Sequence, residues 1–98
     1  MKTLRQRLAA ILSEEPATAR DLAARLGLRE KEVYSHLSHT ARSVKARGGA
    51  FEVEPARCAA CGFVFETRKR LSRPGRCPDC RSERIEDPVF HVRGDPLG

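Results

Sequence analysis

Cys58, Cys61, Cys77 and Cys80 form a C-x2-C-x15-C-x2-C frame, and no other feature of this chain restricts its folding as tightly. Each pair can turn as a tight knuckle, and two facing knuckles can offer four thiolates tetrahedrally to one divalent cation. A stretch of this length cannot bury enough apolar surface to fold alone. Metal binding must therefore supply its folding energy, on the order of 10 kcal/mol or more for structural zinc. All four donors are cysteine, which predicts a closed structural site with no open position for water or substrate. Zinc suits this set better than iron, and disulfides or a catalytic dithiol are the alternatives. Gly62 follows the first pair, where a positive φ lets backbone N–H groups turn toward sulfur. Arg81 stands at the corresponding place after the second pair, so that knuckle must turn under strain or differently.

The rest of the chain bounds the partners. Its 98 residues can build one compact domain or two small lobes, too little for a large enclosed active site. The net charge is +6, with 15 arginines against 4 lysines, and arginine's rigid fork suits phosphate and carboxylate. Four metal-bound thiolates would lower that charge to about +4, so an argument for nucleic acid must rest on where the charge lies. The basic start is interrupted by Arg5 and Arg7 and followed by Glu14 and Glu15, which argues against a signal peptide. No segment has the length and apolarity to cross a membrane. A cytoplasmic protein is expected, where paired cysteines serve more often as metal ligands or redox thiols than as disulfides.

Hydrophobic spacing predicts three helices ahead of the cysteines. Leu4, Leu8, Ile11 and Leu12 share one stripe, with Thr3 and Gln6 spaced as a capping box, for a helix over 4–14. After Pro16, Thr18 caps a second helix with Asp21 reaching back, Leu22, Ala23 and Leu26 facing inward, and Gly27 ending it. A third begins near Arg29, turns Val33, Leu37, Thr40 or Ala41, and Val44 inward, and stops at Gly48 and Gly49. Residues 50–55 then alternate, with Phe51 and Val53 on a buried face and Glu52 and Glu54 outside, and the apolar run 89–92 can pair with them as a two-stranded hairpin. The predicted class is α+β: a winged helix-turn-helix of three helices and a two-stranded wing, with a four-cysteine zinc ribbon at the wing tip. Its parts are 1–56 with 85–93 for the winged body, 57–84 for the ribbon and 94–98 for a frayed tail.

Residues 17–37 carry the spacing of a helix-turn-helix: Ala23 where two helices approach, Gly27 in the turn, and Val33 and Leu37 anchoring the second helix. An ordinary helical hairpin meets the same packing needs. Opposite the apolar stripe of the third helix lie Lys31, Ser35, Ser38 and Arg42, with His39 beside them and Arg29 at the helix start. These six are the candidate DNA contacts. The bland reading is that Glu30 and Glu32 early, with Arg42, Lys45 and Arg47 late, merely suit the helix dipole. His36 reads as a packed or surface histidine, and Tyr34 as a packing residue with a solvated hydroxyl. Glu52 and Glu54 would repel phosphates if the wing's polar side met DNA.

Within the ribbon, Phe63 and Phe65 alternate as a short strand and as its small core. Arg68, Lys69, Arg70, Arg73 and Arg76 form a basic loop without an acid. It reads equally as a finger for phosphates and as a solvated loop offsetting the thiolate charge.

The segment CAACGFVFETRKRLSRPGRCPDCRSERI, with the helix-turn-helix before it, resembles a family of small, mainly archaeal proteins. They are predicted transcriptional regulators in which a rubredoxin-like zinc ribbon is inserted in the wing of a winged helix. The resemblance spans about residues 4–92. It implies one zinc on Cys58, Cys61, Cys77 and Cys80 and a role on double-stranded DNA. The ribbon is also similar to rubredoxin's iron site, but Arg81 replaces the glycine after the second pair and rubredoxin's aromatic core is missing.

The leading expectation is a sequence-specific DNA-binding regulator, acting as a homodimer on a two-fold site. The alternatives are an adaptor that binds protein or RNA through the basic ribbon loop, and a redox or metal sensor that uses the thiolates. Catalysis is not expected: His36, His39 and His91 lack the His-Glu-x-x-His arrangement, and neither a Gly-x-Ser-x-Gly elbow nor a phosphate-cradling glycine loop is present.

Overall fold

The computed structural model describes residues 3–66 and 73–94. Helix α1 spans Leu4–Glu14 and starts as its capping box requires: the Gln6 N–H donates to Thr3 Oγ1, and the Thr3 N–H donates to Gln6 Oε1. Helix α2, Ala19–Leu26, repeats the device with Thr18 and Asp21, and ends at Gly27 in the left-handed region, φ 68°. Helix α3, Glu30–Ala46, follows one short turn later. Arg29 supplies no side-chain cap, but Glu32 accepts the Arg29 N–H at 3.3 Å. Local chemistry thus places all three helix starts.

Packing follows the apolar stripes. Leu8, Ala9 and Leu12 of α1, Ala19 and Leu22 of α2, and Val33, Leu37 and Val44 of α3 are buried together, with Ile11, Ala23 and Leu26 partly buried against them. Thr40 is the inward residue between Leu37 and Val44; its hydroxyl donates to the His36 carbonyl at 2.8 Å, which makes burial of the polar group tolerable.

A three-stranded antiparallel sheet closes this core, in the order β1 (Ala17–Thr18), β5 (Val89–Arg93), β2 (Ala50–Glu54). The expected pairing of 50–55 with 89–92 is present, formed by Ala50–Glu54 and Val89–Arg93, with Phe51 opposite Val92 and Val53 opposite Phe90. The expectation of two strands is corrected to three, because Ala17 and Thr18 pair with Phe90 and Val89. β5 is therefore the central strand, and its Phe90 and Val92 are fully enclosed. Phe51 meets Phe90 with ring centroids 5.9 Å apart. Val53 departs from expectation. It shares the inward face with Phe51, yet lies 39 % exposed, since an edge strand has neighbours on one side only.

A second sheet of two short strands, β3 (Arg57–Cys58) and β4 (Ile85–Glu86), forms the base of the ribbon. Its ladder extends to Glu86, two residues past the 57–84 span. The strand expected at Phe63 and Phe65 is not formed; a single bridge joins Val64 to Arg57. The two rings meet edge to face at 5.0 Å, but only Phe65 packs on the ribbon core of Ala56, Cys58, Cys77 and Ile85, and Phe63 is exposed. No described helix is long and apolar enough to span a membrane. The frayed tail expected over 94–98 lies, Gly94 apart, outside the described residues.

Candidate metal centre

The two Cys-x-x-Cys segments are built on one hydrogen-bond plan. After the first cysteine of each pair, the fourth residue donates back to its carbonyl: Gly62 to Cys58 and Arg81 to Cys77, both at 2.9 Å. The first cysteines donate in turn to Phe63 and Ser82, at 2.8 and 2.9 Å. Both turns require a left-handed residue, Gly62 at φ 83° and Arg81 at φ 65°. Arg81 is the only non-glycine residue with positive φ among the described residues. The departure noted in the sequence is therefore met by strain rather than by a different turn. An L-residue there costs about 1–2 kcal/mol.

These turns aim backbone N–H groups at sulfur. The Asp79 N–H lies 3.4 Å from Cys77 Sγ, and the N–H groups of Cys61 and Ala60 serve Cys58 in the same way. Those of Phe63 and Ser82 point at Cys61 and Cys80. The four Sγ atoms all lie within 4.8 Å of one another, with Cys58 to Cys80 at 3.5 Å and Cys61 to Cys77 at 3.6 Å. A zinc–sulfur distance of about 2.3 Å in a tetrahedron sets sulfurs roughly 3.8 Å apart. No sulfur pair forms a disulfide, so the four thiols fit a single ion. A cation there would hold the two knuckles together and neutralise thiolate charge.

Electrostatics favour the same reading. Burial opposes ionisation of Cys58, but the Cys61 and Ala60 N–H groups outweigh it and bring its pKa down to about 7. Cys61 is pushed up to about 12: the Phe63 N–H favours its thiolate, and burial with the three neighbouring sulfurs outweighs that help. Cys80 is raised too, against the Ser82 N–H and Cys61, by burial and by Cys58 and Cys77. Without a cation Cys58 gives up its proton readily, whereas Cys61 and Cys80 resist. A divalent ion removes that conflict.

The remaining candidate residues lie elsewhere. Arg29, the N-cap of α3, and Lys31, Ser35 and Arg42 on the helix are exposed, while Ser38 and His39 are half-buried. Ser38 Oγ donates to the Tyr34 carbonyl at 3.3 Å. Two residues of the basic loop, Arg73 and Arg76, are described, and both are engaged within the protein. Arg73 turns back to the Ile85 carbonyl at 3.4 Å and to Asp87 at 3.5 Å, and Arg76 pairs with Glu83 at 3.7 Å. Arg68, Lys69 and Arg70 lie outside the described residues. Tyr34, expected to keep a solvated hydroxyl, has it buried without a hydrogen-bond partner. Sequence reasoning missed Asp87, which takes Arg20 as well as Arg73, because only the third dimension brings these residues together.

A three-helix body with small antiparallel sheets, carrying a rubredoxin-like ribbon with a four-cysteine metal cluster suited to zinc, is the class these features define. Residues 3–51 match the family described as PF0610-like, N-terminal, and residues 55–94 match the PF0610 rubredoxin-like zinc beta-ribbon domain. The solution NMR structure of protein PF0610 from Pyrococcus furiosus is similar: it shares 31 % identity over 91 % of this chain and 87 % of its own, with a TM-score of 0.76. The chain belongs to the PF0610-like family. No curated protein matches it.

Proposed function

We propose that this chain is a winged-helix protein that binds double-stranded DNA and regulates transcription in the cytoplasm. In this reading α3 enters the major groove, β2 and β5 form the wing, and the ribbon, holding one structural zinc, is scaffold. One observation carries the reading. The apolar side of α3 is sealed into the core, while its opposite side presents Lys31, Ser35 and Arg42, and neither Lys31 nor Arg42 has a carboxylate partner among the described residues. Cations left unpaired along one helix face are available to phosphates and base edges. The objection raised by Glu52 is weaker than the sequence suggested, because Arg93 Nε lies 2.6 Å from Glu52 Oε1 and His91 is 3.7 Å away. A homodimer on a two-fold site would double the protein–DNA interface. No catalytic role is proposed.

Selection of bound fragments from genomic DNA, with the Lys31→Ala/Arg42→Ala double variant as control, tests this. Binding should weaken steeply with salt, with the slope reduced by about 0.9 for each phosphate that is no longer neutralised, and the double variant should lose sequence preference. Preference that survives both substitutions defeats the proposal.

A second reading has one observation in its favour: Phe63 is exposed on the ribbon, which also carries Arg57, Arg81 and Arg84, none with an ion-pair partner among the described residues. It makes the ribbon an adaptor for protein or RNA. Phe63→Ala would then abolish partner capture and leave DNA affinity unchanged.

A further inference from the structure

Asp87 lies between β4 of the ribbon and β5 of the body, at the junction of the two sheets. Its side chain is only 15 % exposed. One oxygen faces Arg20 of α2 at 3.6 Å, and the other faces Arg73 Nε at 3.5 Å without accepting a hydrogen bond. Arg73 also donates to the Ile85 carbonyl, so it holds both the ribbon base and the carboxylate. The buried Tyr34 hydroxyl of α3 completes the group: the Arg73 backbone N–H points at it without reaching full hydrogen-bond geometry, and the charge of Asp87 acts on it. Four parts of the molecule meet at one carboxylate.

We propose that Asp87 is a latch through which metal loading of the ribbon sets the environment of α3, by way of Arg73 and Tyr34. Arg73 lies four residues before the ligand Cys77, so its position depends on a folded ribbon, and the folded ribbon depends on the ion. Without the ion, Asp87 retains only Arg20, an exposed partner, and water reaches both the carboxylate and the phenol. A simple structural glue would be built otherwise. A nearly buried carboxylate with an unsatisfied oxygen, beside an unsatisfied hydroxyl, is a costly arrangement that gives little stability. Such a junction opens readily when one partner leaves. Ser35 and Ser38 of the proposed DNA face flank Tyr34 on the same helix, so a change around the phenol falls next to that face. Any such coupling is reciprocal: a ligand that fixes α3 tightens the metal by the same factor.

The chain carries its own reporter, since Tyr34 is the sole tyrosine and there is no tryptophan. The groups facing its phenol are Asp87, Glu30 and Arg73, and burial with the two carboxylates raises its pKa despite Arg73. The latch rests on the metal reading of the cysteines and not on DNA binding, so its test uses no DNA. Full-length protein loaded with zinc(II) alone is compared with chelated protein by acrylamide quenching of tyrosine fluorescence and by phenol titration, with helix content followed by circular dichroism. Chelation should raise quenching toward that of free tyrosine and bring the phenol titration back to about 10. Asp87→Asn, still zinc-loaded, should shift the titration the same way, and zinc-loaded Arg73→Ala should match the quenching of the chelated protein. Chelated protein with intact helices and an unchanged tyrosine overturns the latch. So does a zinc-loaded Arg73→Ala variant with native quenching, an arm that decides the matter even where chelation melts the helices.

Discussion

Gly62 and Arg81 occupy the same turn in two copies of one knuckle, each donating its N–H over 2.9 Å to the carbonyl of the first cysteine of its pair. One copy carries the residue that the left-handed backbone favours and the other does not. Arg81→Gly should therefore strengthen the metal centre. The gain is at most about 1 kcal/mol, because glycine's greater freedom in the unfolded chain offsets part of the relief. Gly62→Ala should weaken it by about 1 kcal/mol through backbone strain alone, since an added Cβ would meet nothing within 4 Å. Competition with a metal chelator measures both, and equal retention across the two variants would count against the strained knuckle.

Cys77 is fully buried at the centre of the ribbon, so Cys77→Ser removes a ligand where no solvent group can replace it. The ribbon should lose its ion and with it on the order of 10 kcal/mol of folding energy, while the helical core, made of other residues, keeps its structure. Metal analysis should fall from one ion per chain to none. Limited proteolysis should open the cysteine segment first. A ribbon that stays protected without metal contradicts this.

Loading should release protons. Cys61 and Cys80 hold theirs above the ordinary thiol range, so at neutral pH at least two protons must leave when the ion binds. The free form thus binds more protons than the loaded form, and affinity rises with pH and falls as acid is added. Proton release on zinc addition to weakly buffered protein gives the count directly. Affinity that is flat between about pH 6 and 8 would refute it.

Phe90 and Val53 face each other across the β2–β5 ladder but differ in cover. Phe90→Ala in the central strand should cost about 3–5 kcal/mol of stability. Val53→Thr on the edge strand should stay within roughly 0.5 kcal/mol. Denaturant unfolding of the two variants checks the contrast.

The Glu52–Arg93 pair is solvent-exposed, at 50 % and 69 %, and so is worth at most about 1 kcal/mol. Glu52→Gln would free Arg93 for phosphate under the DNA-binding proposal. DNA affinity should then rise by less than about tenfold, with a steeper salt dependence. Unchanged affinity argues that the wing does not touch DNA.

The sequence alone determined what is decided within a few residues. Thr3 with Gln6 and Thr18 with Asp21 reach only one helical turn, so their caps can be read off directly, as can the Gly27 turn and the knuckle geometry within each Cys-x-x-Cys pair. The face of α3 that packs inward is equally legible, because 3.6-residue periodicity acts along one helix. Even the conflict at Arg81 is visible as a missing glycine.

Only the tertiary structure decided what depends on partners far along the chain. Ala17 and Thr18 carry no strand pattern, being two residues long, and become a strand because β5 offers them unpaired backbone groups. Val53 looks inward by alternation but is left exposed by its place at the sheet edge. Arg73 reads as a loop cation until the fold sets it against Asp87, with Arg20 and the Tyr34 hydroxyl beside it. Ion pairs and burial of this kind depend on distances between segments, and no periodicity or local motif encodes those.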